Sequence, residues 1–155
     1  MSNLSNNFIA GDWISGPSTI SNINPSDTND VIGEYAQASK SQLEDALNSA
    51  QIAQKKWAAT GLEQRQAVLM KIGEEMMARS AELGELLSRE EGKPVAEGKG
   101  EVYRAGQFFT YYAAEVLRQS GDTADSVRPG IEIDVRREPM GTVAIISPWN
   151  FPTAT

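Results

Sequence analysis

The segment Ser147-Pro148-Trp149-Asn150-Phe151-Pro152 holds a carboxamide between two prolines and two aromatic rings. Proline fixes its own φ and pushes the preceding residue toward extended conformations, so the turn around Asn150 has few shapes open to it. A carboxamide NH2 held there can donate a hydrogen bond to an oxygen of a substrate. Such a donor matters most where that oxygen gains negative charge, because a preorganised dipole stabilises charge that develops during reaction. An ordinary loop asparagine would look the same by position alone. Both readings stay open at this level.

The rest of the chain offers little reactive chemistry. Its 155 residues include no cysteine and no histidine. That removes disulfides, thiol nucleophiles, imidazole bases and the commonest transition-metal ligands. Gly92-Lys93 lacks both the earlier glycine and the following Ser or Thr of a phosphate loop, and Gly98-Lys99-Gly100 follows no strand; both read as solvated helix-end residues. Glu90-Glu91 could be an acidic ligand pair, but at a helix C-terminus it reads as surface. Glu132 and Asp134 share a strand face that reads as solvent-exposed.

Composition narrows the class. A formal charge of −7 argues against a nucleic-acid partner, which would call for a basic face. The start, Met1-Ser2-Asn3-Leu4-Ser5, has neither the basic residues nor the apolar stretch of a signal peptide. No apolar run approaches the roughly 20 residues that span a bilayer. These features point to a cytoplasmic chain with no membrane partner.

The turn needs elements to position it. Phe8 to Ile14 places apolar residues around Gly11-Asp12 and predicts a β-hairpin, with Thr19–Asn24 following it and Val31–Ala36 as a short strand. Ser41 with Glu44 and Thr60 with Glu63 match capping boxes that would open two helices. Leu43, Leu47, Ala50 and Trp57 form an apolar stripe on the first, and Leu62, Leu69, Ile72 and Met76 on the second. A third helix spans about 80–91 and stops at Gly92; Pro94 suits the first turn of a fourth, which carries Val102, Gly106, Phe109, Ala113 and Val116. Residues 131–137 alternate as a half-exposed strand, and 142–146 form a β-branched run suited to a strand buried on both faces of a parallel sheet. The turn at Asn150 would then sit at the carboxyl end of that strand, where open α/β sheets place ligands.

The string Arg136-Arg137-Glu138-Pro139-Met140-Gly141-Thr142-Val143-Ala144-Ile145-Ile146-Ser147-Pro148-Trp149-Asn150-Phe151-Pro152 resembles the aldehyde dehydrogenase superfamily, with its Arg-Glu-Pro-hydrophobic-Gly turn, apolar strand and Pro-Trp-Asn-Phe-Pro. Phe8–Ile14, Ile23–Gly33, Ala50–Ala59 and Ser88–Pro94 resemble that family's hairpin, loop, first helix and Gly-Lys-Pro junction. The resemblance covers the whole chain but about the first third of a typical member. It implies the N-terminal part of an α/β aldehyde dehydrogenase-like fold. Residues 1–121 would be hairpin and helices of the cofactor domain, 122–140 an oligomerisation strand region, and 141–155 the first Rossmann-type strand and active-site turn.

The function so implied is oxidation of an aldehyde to an acid with NAD or NADP. A cysteine thiolate attacks the aldehyde, and Asn150 donates to the oxyanion of the thiohemiacetal. Ile146, Ser147, Pro148 and Trp149, with Asn150, match the segment lining the cofactor pocket, and a monovalent-cation site is implied near Asn22, Ile23 and Glu90. The long string is similar to members acting on small semialdehydes, and the family implies a homo-oligomer, dimer or tetramer. The nucleophilic cysteine and catalytic glutamate are expected beyond Thr155, so the 155 residues alone are expected to be inactive. The contrasting expectation is a truncated, non-catalytic paralogue that binds a partner through its acidic helices or the strand at 131–137.

Overall fold

The computed structural model describes residues 4–154. Strands β2 (Asn7–Ile9) and β3 (Asp12–Ile14) pair antiparallel, Phe8 opposite Trp13. The hairpin turn is Ala10-Gly11, one residue earlier than expected, and both residues have positive φ, 56° and 98°. A two-residue loop with both central φ positive matches the right-handed twist of the strands, and glycine takes the second position without strain. A separate three-stranded sheet forms from the flanking strands: β1 (Leu4–Ser5) runs parallel to β5 (Val31–Gln37), and β4 (Ser18–Ile23) runs antiparallel to β5 on its other side. The register shifts between Asn22 and Ile23.

Helix α1 (Lys40–Ala58) is capped two residues before the expected position. Ser39 is its N-cap, accepting from the Gln42 N–H while the Gln42 side chain accepts from the Ser39 N–H at 2.9 Å. The reciprocal box therefore uses Gln42, not Glu44. The second expected box does not form either. Helix α2 (Leu62–Ala78) is capped at Gly61 with no side-chain bond, and the Thr60 hydroxyl turns back to the Trp57 carbonyl at 2.6 Å. Helix α3 (Ser80–Glu91) ends at Gly92, whose φ of 85° closes the helix in a left-handed cap with its N–H on the Ser88 carbonyl. Pro94 stands at the N-cap of α4 (Val95–Val116), one position ahead of the first turn.

Helix α4 is the centre of the bundle. Its predicted stripe is borne out: Val102, Gly106 and Ala113 are buried, and Phe109 and Val116 half-buried. It meets its neighbours through glycines. A Cβ on Gly106 would lie 2.7 Å from the Gly73 carbonyl oxygen, and one on Gly73 would lie 2.6 Å from the Gly106 oxygen. Gly98 of α4 and Gly84 of α3 repeat this close approach, with 2.4 Å between a Gly98 Cβ and the Gly84 oxygen. Gly98 is thus a packing residue, not a solvated helix end. Backbones this close exchange dispersion contacts along their whole shared length.

Outside that bundle the apolar stripes are uncovered. Helix α1 buries no residue, and Leu43, Leu47 and Trp57 are exposed, contrary to the expected core face. Strands β6 (Asp122–Asp125) and β7 (Glu132–Val135) form the two-stranded antiparallel ribbon expected near 122–137, but every residue in it is exposed, so its alternation faces no core. Residues 142–146 form no strand and are exposed, correcting the expected buried strand. A strand is made by its neighbours' backbone groups, and among the described residues none pairs with this run.

Candidate functional site

The turn 149–154 follows the unpaired run, yet it is fastened to the helical bundle. The Lys93 ammonium donates to the carbonyl oxygen of Asn150 at 3.0 Å and lies 4.6 Å from the centroid of the Phe151 ring. Thr153 donates both its N–H, at 2.9 Å, and its hydroxyl, at 2.6 Å, to Oε1 of Glu101. Lys93 and Glu101 are joined to each other through Glu101 Oε2, and Lys93 also meets Glu91 at 2.9 Å. The Lys93 and Glu101 side chains are only 9% and 2% exposed.

Local folding explains how these groups converge. The left-handed cap at Gly92 swings the chain off α3, and Pro94 starts α4 immediately. Lys93 is therefore trapped between two helices. Glu101 stands in the second turn of α4, on the same face as Val102 and Ala105, which are buried. Burial disfavours the charged form of each side chain, but mutual bonding outweighs it. Desolvation pulls the Lys93 ammonium down while its bonds to Glu101 and Glu91 hold it above its ordinary value. Desolvation pushes the Glu101 carboxyl up, and bonds from Lys93 and Thr153 leave it below its ordinary value. Both groups are charged near neutral pH. The reading of Gly92-Lys93 as a solvated helix end is overturned.

The side chains of the turn point elsewhere. Ile146 is 95% and Trp149 87% exposed, Ser147 and Asn150 are exposed, and Pro148 is half-buried. Among the described residues no group hydrogen-bonds to the Asn150 carboxamide; the bond to this residue goes to its carbonyl. Backbone held and amide free is the arrangement a donor to an incoming oxygen requires.

The other expected cluster also comes together, in part. Asn22 Nδ2 donates to Glu90 Oε1 at 2.9 Å, and the Tyr35 hydroxyl donates to the same oxygen at 3.1 Å. Desolvation and the Glu90 charge raise the Tyr35 pKa. Glu90 is thus a bonded partner rather than a plain surface acid. Ile23 follows at the register shift, and no group of three or more acidic side chains that could hold a metal forms among the described residues. Nearby, Arg89 reaches from α3 to grip both oxygens of Asp30, at 2.9 and 2.6 Å, tying the loop between β4 and β5 to the bundle. Sequence reasoning missed Lys93, Glu101 and Thr153. The spacing of eight residues between Lys93 and Glu101 carries no motif, because their partnership exists only once α3 and α4 fold against each other.

A mixed α/β lead-in ending in a fastened Pro-Trp-Asn-Phe-Pro turn defines a class, and comparison with known proteins agrees with it. The sequence model of the aldehyde dehydrogenase family matches residues 13–155. The alpha-ketoglutaric semialdehyde dehydrogenase of Bacillus subtilis (strain 168) is 35% identical over 150 residues, 96% of this chain and 31% of that protein. The structure of an NAD-dependent aldehyde dehydrogenase from Sinorhizobium meliloti superposes with a TM-score of 0.91 at 28% identity, covering 99% of this chain and 32% of that one. An NADP-dependent glyceraldehyde-3-phosphate dehydrogenase from Bacillus halodurans C-125, solved with NADP, gives 0.91 at 29% identity over 98% of this chain and 33% of its own.

The chain belongs to the aldehyde dehydrogenase family. It spans about a third of the length of the relatives it matches.

Proposed function

We propose that these residues are the part of an NAD(P)-dependent aldehyde dehydrogenase that supplies the amide donor to the reacting oxygen. The observation carrying this reading is the contrast at Asn150: its carbonyl is held by Lys93 while its carboxamide is free and exposed. An aldehyde attacked by a thiolate develops negative charge on its oxygen, and the Asn150 NH2 would stabilise that charge. The thiolate must come from outside these residues, since none of the 155 is cysteine. The chain alone would therefore bind or orient, and not turn over.

The cofactor fits this surface in a limited way. Ile146, Ser147, Pro148 and Trp149 offer aliphatic and aromatic faces with one hydroxyl, suited to one wall of a pocket. They include no cation or glycine-rich turn to hold phosphates. Bound there, the nicotinamide would serve as hydride acceptor. The names of the relatives support NAD or NADP without choosing between them, and a semialdehyde is the substrate class that the Bacillus subtilis relative favours.

Residues 1–121 would belong to the cofactor domain, 122–140 to an oligomer contact and 141–155 to the nucleotide-domain strand and turn. The ribbon of β6 and β7, exposed on both edges, supports pairing with a second copy in a homo-oligomer. No helix among the described residues is long and apolar enough to cross a membrane, which accords with a cytoplasmic site of action. The net charge of −7 argues against a nucleic-acid partner. The test is a graft: these 155 residues replace the matching stretch of the Bacillus subtilis relative. The folded chimera should form NAD(P)H from a semialdehyde, whereas the 155 residues alone should not. A folded but inert chimera would count against the assignment.

A further inference from the structure

Turn 149–154 has no strand beside it among the described residues, yet three of its polar backbone and hydroxyl atoms end on one buried ion pair. Lys93 holds the carbonyl of Asn150 on one side. Glu101 holds the N–H and hydroxyl of Thr153 on the other, and the Phe151 ring lies against the Lys93 ammonium. Both charges are almost wholly shielded from water. A pair in this position is costly to desolvate, and well-packed apolar residues would serve helix packing at least as well. What an apolar pair could not do is donate to one backbone group and accept from another across a turn. Beyond the pair itself, Lys93 bonds the Asn150 carbonyl and Glu91, and the second oxygen of Glu101 is given wholly to Thr153.

We propose that Lys93 and Glu101 are positioning residues for Asn150: together they clamp the backbone on either side of its side chain and thereby set where its carboxamide points. This rests on the reading of Asn150 as the donor to the reacting oxygen. A donor is effective when its orientation is set before the charge develops, and small misplacements are costly. The clamp supplies that orientation from α4 and from the junction between α3 and α4, and leaves the amide itself unbonded.

The test reads geometry in the full 155-residue chain by amide hydrogen exchange and the side-chain NH2 resonances of Asn150. In Glu101→Leu, which removes the acceptor of the Thr153 N–H, the Thr153 amide should exchange roughly tenfold faster or more, the scale of losing one charge-assisted hydrogen bond. In Lys93→Met, which removes the bond to the Asn150 carbonyl, the Asn150 NH2 signals should move toward those of an unstructured peptide. Amides of Val102 and Ala113 in α4 should keep their rates in both variants, and Lys93→Arg should keep the Asn150 signals close to those of the parent. Should Lys93→Met fail to fold, Thr153→Val decides, because it removes only the hydroxyl bond from an exposed turn. It should shift the Asn150 NH2 signals in the same direction by a smaller amount. Unchanged Thr153 exchange in Glu101→Leu, or unchanged Asn150 signals in Lys93→Met or Thr153→Val, would overturn the clamp. Failure here would leave the donor role of Asn150 intact, while a working clamp beside a dispensable Asn150 carboxamide would remove the donor role alone.

Discussion

Thr153 gives its N–H and its hydroxyl to a single carboxylate oxygen, Oε1 of Glu101, at 2.9 and 2.6 Å, while the other oxygen of Glu101 is engaged by Lys93. One side chain on α4 thus joins an irregular terminal turn to the best-packed helix of the molecule.

Lys93 and Glu101 should be strongly coupled. Removing one partner of a shielded ion pair leaves the other charged and uncompensated, so Lys93→Met should cost about 3 kcal/mol of unfolding free energy. Replacing both residues with methionine should cost clearly less than the sum of the two single changes. Urea unfolding of the four proteins measures the cycle. Additivity within about 0.5 kcal/mol would show that the two side chains act independently.

Acid should release the loop between β4 and β5. Bonds from Arg89, then Asn24, lower the Asp30 pKa from its ordinary 3.8 to about 2. A carboxyl whose folded pKa is depressed binds its proton first in the unfolded chain. Its contribution is therefore complete above about pH 4 and is lost as pH falls from there toward 2. The difference in melting temperature between the parent and Asp30→Asn should shrink across that window and stay constant above it. A difference that persists to pH 2 would contradict the pairing.

Two glycines of α4 should respond oppositely to the same change. Gly106→Ala puts a methyl 2.7 Å from the Gly73 carbonyl oxygen, a backbone atom that cannot swing away, so α2 and α4 must separate. The expected loss is about 1–3 kcal/mol despite the better helix propensity of alanine. At Gly100 the methyl meets open space, and Gly100→Ala should be neutral or stabilising by up to about 1 kcal/mol. Thermal denaturation of both variants distinguishes packing from propensity.

The helices were legible in the sequence because their signals are local. Gly92 ended α3 as expected, since only a left-handed residue closes that cap, and the α4 stripe buried as its spacing implied. The box at α1 was misplaced because Ser39 and Ser41 compete two residues apart and glutamine serves as well as glutamate at the third position. Residues 142–146 have the composition of a buried strand, but pairing is supplied by other strands, and none of those described lies alongside. The role proposed for Asn150 could be read from its turn and from the family resemblance. Its support could not, because Lys93, Glu101 and Thr153 come together only through tertiary contact. The glycine contacts of α4 were hidden for the same reason: a glycine in a helix reads as a weakness until a second backbone is seen against it.

The most direct measurement is the turnover of the chimera in which these 155 residues replace the matching stretch of the Bacillus subtilis relative, compared with its Asn150→Ala variant. If Asn150 donates to the developing oxyanion, kcat should fall on the order of 10²–10³-fold, with little change in cofactor binding and no change in melting temperature. An Asn150→Ala chimera with kcat within about threefold of its parent, well short of the loss expected for a donor, would contradict the account.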